Sequence, residues 1–182
     1  MFLDKCKVFP KNRILYIIAV VGFLIILLLY LLVFIPIESM VSTYGILDYE
    51  FAWNSEQVET IFEVWDYEGI NSQKIAIYWD FLFIVGYVSL AFSLIVLVLR
   101  KSENSIQTIG TYIVITPFLT GIFDIIENVN LLIMDITFIT NGNAFIASLS
   151  ATIKFGLLFV GIIYFIGALI HVLINKIKNR NG

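Results

Sequence analysis

The chain is poor in the residues that build most reaction centres. Its 182 residues include one cysteine, Cys6, and one histidine, His171. A lone cysteine excludes an internal disulfide and any paired-cysteine redox or zinc site. One His and one Cys so far apart also argue against a transition-metal centre. There is no nucleophile elbow, no phosphate-cradling glycine-rich loop and no histidine-rich metal motif. No internal repeat stands out, which leaves an inverted-repeat transporter unsupported within one chain. The basic residues are too few and too scattered for nucleic-acid binding. No cofactor is expected, and a retinal Schiff base on a lysine would want more helices than the chain supplies.

What the chain has in excess is apolar side chain. It is 60% hydrophobic with a mean hydropathy of +0.96, a composition that demands an integral membrane protein. Hydropathy places four spans at about residues 14–37, 75–99, 109–133 and 144–174. The first follows a basic start, Lys5, Lys7, Lys11 and Arg13, which invites a signal-peptide reading. Its apolar run exceeds the short core of a cleaved signal, so it reads as a retained anchor. The expected fold class is all-α: one membrane domain over residues 1–182, an integral membrane four-helix bundle.

Charge sets the expected orientation. Nine of the eleven Lys and Arg residues lie in the N-terminal tail, at Arg100-Lys101, and at Lys176, Lys178 and Arg180. The connector at about 38–74 carries eight acids, from Glu38 to Glu68, against Lys74 alone. The positive-inside rule then places both termini in the cytoplasm and the connector outside. Within it, Asn54 and Gln57 form a capping-box pattern, and Gly69 reads as a stop. Between them Val58, Ile61, Phe62 and Trp65 share one face, predicting a short amphipathic helix over about 55–67. Its acidic far side favours packing on the bundle as a lid over binding anionic lipid. A structured connector without a gating role is an equal reading. Trp53, Trp65 and Trp79 read as an outer aromatic belt, and His171 as interfacial packing.

The third span holds the most informative stretch, Gly121-Ile122-Phe123-Asp124-Ile125-Ile126-Glu127-Asn128. Ionisable groups in a bilayer are costly and persist when paired, hydrated or functional. Asp124, Glu127 and Asn128 form one polar stripe at i, i+3 and i+4. Asp80 in the second span shares a face with Tyr87, with Phe83 and Ile84 between them. Lys154 in the fourth span shares a face with Ala147, Ser150, Gly161 and Ala168, a small-residue pattern that lets membrane helices approach closely. Counting from the expected span ends puts all these polar groups in the outer half of the bilayer. Convergence on one pocket is the simplest explanation. A structural ion pair between Lys154 and one acid is almost as good. Even then two carboxyls remain, and an acid beside an ionised partner is the usual equipment for proton transfer.

Two resemblances bear on this pattern. The run Asp48-Tyr49-Glu50-Phe51-Ala52-Trp53, then Trp79-Asp80-Phe81-Leu82-Phe83 with Tyr87, then Gly121-x-x-Asp124-x-x-Glu127-Asn128 and Lys154, resembles a family of small four-span microbial membrane proteins. That resemblance covers most of the chain and implies that the acids and Lys154 are a shared trait, with no established reaction. The span count, long first connector and intramembrane acids also resemble the sterol isomerase and sigma-2 receptor superfamily in architecture. The motif spacing departs from that superfamily, so no catalytic residue carries over.

The leading expectation is a protein that binds a membrane lipid or amphiphilic small molecule in an outer-leaflet pocket, with acid/base chemistry as an option. Asp80, Asp124 and Glu127 are the candidate catalytic carboxyls, with charge stabilisation falling to Lys154. Lys154, Asn128, Tyr87, Phe83 and Ile84 are the candidate ligand-binding residues, and Phe81 and Phe123 would add apolar contact to a tail. The alternative is an accessory or structural subunit whose ion pairs fix helix packing. A third reading, intramembrane hydrolysis by Asp80 with Asp124, resembles bacterial lipoprotein signal peptidase in size and span count but lacks its Asn-rich aspartate motifs. Self-association stays open.

Overall fold

The bundle takes its shape from a solvent that cannot hydrogen-bond the backbone, which leaves helices as the structure for this composition. In the computed structural model, residues 5–41 and 43–178 are described. Helix α1 spans Asn12–Glu38, followed by a short connector helix, α2, at Ile46–Glu50. Helix α3 runs Ser55–Leu99, α4 covers Asn104–Ile113, α5 Thr116–Ile136 and α6 Asn141–Lys178. Four units, namely α1, α3, α4 with α5, and α6, are each long and apolar enough to cross a membrane. The chain is therefore a multi-pass helical membrane protein. Much of α1 and α6 presents Leu, Ile, Val and Phe outward.

The helices run further than the hydropathy predicts, because hydropathy marks immersion while backbone hydrogen bonding continues past it. The clearest case is α3. It begins at Ser55 and carries through Gly69, Asn71, Ser72 and Lys74 into the apolar stretch. Its one interruption is Asp66, at φ 55° and ψ −171°, which divides it into two arms. The stop therefore falls at Asp66 and not at Gly69, which is helical. The Asp66 carboxylate accepts from the backbone N–H groups of Glu68 and Gly69 at 2.9 and 3.2 Å, capping the second arm. A second break separates α4 from α5 at Val114 and Ile115, just before Pro117. Proline lacks the N–H that would continue the ladder. The Thr116 hydroxyl donates to the Ile113 carbonyl at 3.0 Å.

Packing is tightest between α5 and α6 and between α1 and α3. At the α1–α3 crossing a Cβ on Gly22 would stand 2.6 Å from the Gly86 carbonyl oxygen, so only glycine permits this approach. Two apolar clusters result. One, at the α4 end, gathers Leu15, Val96, Leu99, Val114 and Tyr164; the other, at the α2 end, gathers Tyr49, Ile61, Trp65, Leu131 and Ala147. The first arm of α3 lies in this second cluster with Val58, Ile61 and Trp65 buried. Trp65 is thus a core residue and not part of an exposed belt, and its indole N–H donates to the Tyr44 carbonyl at 2.7 Å. Trp53 and Trp79 stay exposed.

Further bonds tie the connector to the bundle. The Tyr49 hydroxyl donates to the Leu131 carbonyl at 2.9 Å and lies 3.1 Å from Asp135 Oδ1. The Trp53 N–H donates to Ser148 Oγ at 2.9 Å, and the Ser55 N–H to Asn141 Oδ1 at 2.8 Å. Asn54 caps the first arm of α3 by accepting from the Gln57 N–H at 2.9 Å.

Candidate functional site

Helix geometry brings the ionisable residues to one level between the two apolar clusters. Lys154 comes 13 residues after Asn141, Asp124 12 residues before Ile136, and Asp80 14 residues after Asp66. At 1.5 Å per residue each stands about 18–21 Å along its helix from the α2 end.

Lys154 is the centre of the cluster. Its ammonium donates to Asp124 Oδ1 at 2.9 Å and to Glu127 Oε1 at 2.8 Å, and lies 3.5 Å from Glu50 Oε2. The lysine is 8% exposed and Glu127 fully buried, so these ion pairs are shielded from water. The small residues of α6 make room for them: Ala147, Ser150, Ala151 and Gly161 are buried on the same face. The Phe155 ring also lies under the ammonium, 5.0 Å from its centroid, and stacks on Phe51 of the connector at 5.7 Å. Asp124 uses its second oxygen to accept from the Tyr87 hydroxyl at 2.7 Å. One oxygen of each of Glu50 and Glu127, Oε2 in both, is buried without a hydrogen-bond partner.

Asp80 belongs to a different part of the site. It accepts from Asn128 Nδ2 at 2.6 Å and makes no ion pair with Lys154. Asp80 and Asp124 therefore hydrogen-bond to different partners, Asn128 for one and Lys154 with Tyr87 for the other.

Beside Asp80 lies a polar cavity of about 170 Å³ between the end of α1, α2, α3 and α5. Glu38, Glu50, Gln73, Asp80 and Asn128 supply its polar wall; Phe34, Ile37, Ile77 and Phe83 are among its apolar residues. A π-helical turn at Tyr30–Phe34 precedes the last α1 residues that face it. Such turns reset the register of a helix, often at functional sites. Phe34 meets Phe83 edge to face at 5.2 Å. Gln73 is 1% exposed, and its side-chain nitrogen has no hydrogen-bond partner.

A second, apolar groove of about 210 Å³ runs between α3, α5 and α6, lined by Tyr87, Leu94, Pro117, Thr120, Leu158 and Phe165 among others. Tyr87 links the two spaces. Its ring lines the groove, its hydroxyl holds Asp124, and it packs 5.9 Å from Phe83 of the polar cavity.

The sequence-predicted residues thus fall into three settings. Asp80, Asn128 and Phe83 line the polar cavity. Asp124, Glu127 and Lys154 form the ion cluster behind it, with Tyr87 joined to it. Ile84 is buried where α3 meets Gly121 of α5. Phe81 and Phe123 do not line the polar cavity.

Glu50, Gln73 and Glu38 were missed, since all three sit in the polar connector where an acid or amide is unremarkable. Glu50 did carry a signal. It is an acid flanked by Ile46, Leu47, Tyr49, Phe51 and Ala52, an apolar setting unlike that of Glu56 or Glu59. Burial pushes its carboxyl above the ordinary glutamate value, against the pull of the Lys154 charge. Among the described residues no group of His, Cys, Asp and Glu has the arrangement of a metal site.

Protein-family models, curated proteins and solved structures offer no match to this chain. The fold and site define a class: a multi-pass helical membrane protein with a buried ion cluster beside a small polar cavity.

Proposed function

We propose that this protein resides in a cell membrane with both termini in the cytoplasm, and that it binds a lipid or other amphiphile in the polar cavity. The clustering of Lys and Arg at both termini and at Arg100-Lys101 supports that orientation. The cavity then lies in the outer half of the membrane, with the first arm of α3 as a cover outside it.

The observation that carries the reading is the unpaired amide of Gln73, buried in the wall of a cavity also lined by Asp80, Glu50 and Glu38. An unmet buried donor is costly, and a well-packed structural core would not keep one beside a space large enough to fill. In this reading Asp80 and Asn128 hold the head group, while Phe34, Ile37 and Phe83 meet the start of the tail. Lys154, Asp124 and Glu127 position Glu50 and so hold the connector over the cavity. Of Asp80, Asp124 and Glu127, Asp80 is the carboxyl best placed to accept a proton from a bound molecule, because it lines the cavity and the other two do not.

A structural reading draws on a different observation: the short bonds from Lys154 to both Asp124 and Glu127, which lock α6 to α5. Native mass spectrometry of the purified protein separates the two. Wild type should carry an amphiphile that Ala76→Leu, which fills the cavity from its wall, loses while staying folded. A wild type free of bound amphiphile, with Ala76→Leu equally stable in lipid, would leave the structural reading standing.

A further inference from the structure

The polar cavity is surrounded by more carboxyl groups than basic ones. Glu38, Glu50 and Asp80 line it, and Asp124 and Glu127 stand just behind. Against these five carboxyls the described residues of the neighbourhood supply one cation, Lys154. An ammonium has three donors, and those of Lys154 face Asp124, Glu127 and Glu50. None is left for Asp80, whose bonded partner is the neutral amide of Asn128. A carboxylate in a largely apolar wall with only an amide for company is poorly compensated. An anionic occupant would worsen this, and a neutral one would leave it as it is. A cationic occupant relieves it.

Gln73 adds a second requirement of opposite sense. Its buried side-chain nitrogen lacks an acceptor, and an ammonium cannot supply one. The occupant must therefore present an oxygen close to its cationic nitrogen. Size agrees, because about 170 Å³ holds roughly five or six water-sized groups, enough for a nitrogen, an oxygen and the carbons that join them. Helix α1 borders both the cavity and the outside of the bundle. Phe34 and Ile37 of α1 line the cavity, while Leu32 and Ile35 beside them face outward.

Building on the reading of this cavity as an amphiphile site, we infer that its occupant is an amino alcohol: a protonated amine with N–H donors, a neighbouring hydroxyl, and an apolar tail. The amine faces Asp80 and Glu50, and the hydroxyl oxygen accepts from Gln73. A trimethylammonium head has no N–H to give and satisfies neither carboxylate by hydrogen bonding.

The test uses full-length protein in phosphatidylcholine nanodiscs and four single-chain probes of equal length: sphinganine, stearylamine, stearyl alcohol and stearate. Sphinganine should bind most tightly, with stearylamine about tenfold weaker for want of the oxygen facing a buried donor. Stearyl alcohol and stearate should bind at least about 100-fold more weakly than sphinganine. Gln73→Leu should erase the advantage of sphinganine over stearylamine, and Asp80→Asn should erase the preference for amines over the alcohol. Should Asp80→Asn fail to fold, the probe series on wild type and Gln73→Leu decides alone. Stearyl alcohol or stearate binding as tightly as the amines, and lost in Ala76→Leu, would overturn the amine inference while leaving an amphiphile site. Absence of probe binding, or binding indifferent to Ala76→Leu, would overturn both.

Discussion

Glu50, on a five-residue helix outside the apolar spans, sets a carboxylate oxygen 3.5 Å from the ammonium of Lys154, deep within α6. The contact couples the connector to the interior of the bundle. Through it, the connector residues that line the cavity are held by the same charge that holds α5 to α6.

The first prediction follows from that shared charge. Lys154→Met leaves Asp124, Glu127 and Glu50 without a counter-charge, and breaking a buried pair costs about 3–5 kcal/mol. Unfolding in mixed micelles should show a loss of that order. Lys154→Met combined with Glu127→Leu should recover part of it, since one stranded acid is removed with the base. If the double variant loses the full sum of the two single changes, the residues are not energetically coupled.

Glu50 makes stability depend on pH. Burial raises its carboxyl above the reference value of 4.5, outweighing the opposing pull of Lys154. The unfolded chain then releases this proton more readily than the folded one, so the contribution of Glu50 is most favourable at low pH. It is lost as pH rises from the reference value through the raised folded value. Melting temperatures of wild type should decline over that window, and Glu50→Gln should flatten the decline. Superimposable profiles for the two proteins would remove Glu50 as the titrating group.

Asp66 separates backbone strain from capping. Its φ of 55° with ψ −171° lies in a region open chiefly to glycine, a strain of about 1–3 kcal/mol. Its carboxylate meanwhile caps the second arm of α3. Asp66→Ala loses the cap and keeps the strain, so it should destabilise by about 1 kcal/mol. Asp66→Gly relieves the strain and should be neutral or stabilising. Equal destabilisation by both changes would mean that the break is not strained.

The orientation has its own test. Glu56 is exposed on the first arm of α3. In a Cys6→Ala background, Glu56→Cys should react with an impermeant maleimide in intact cells, and tags at either terminus should be protected. Labelling of Glu56→Cys only after permeabilisation would reverse the topology.

Much of the architecture was legible in the residues alone, for a physical reason. A bilayer rewards apolar length locally, so each of the four long apolar segments could be recognised without knowing its neighbours. The i, i+3, i+4 spacing of Asp124, Glu127 and Asn128 likewise put them on one face before any packing was known. What lay beyond the sequence depends on how helices rotate and where they break. Asp80 and Asp124 share a level yet face different partners, a result set by the rotation of α3 against α5. Gln73 joined the cavity because α3 stays helical for two turns before its apolar stretch begins, down from the break at Asp66. Glu50 reads locally as one more connector acid. Only the folding of α2 onto α5 and α6, through Tyr49 and Trp53, carries it to Lys154. Apolar segments are encoded one at a time, but a charge pair across 104 residues exists only once tertiary packing has closed the distance.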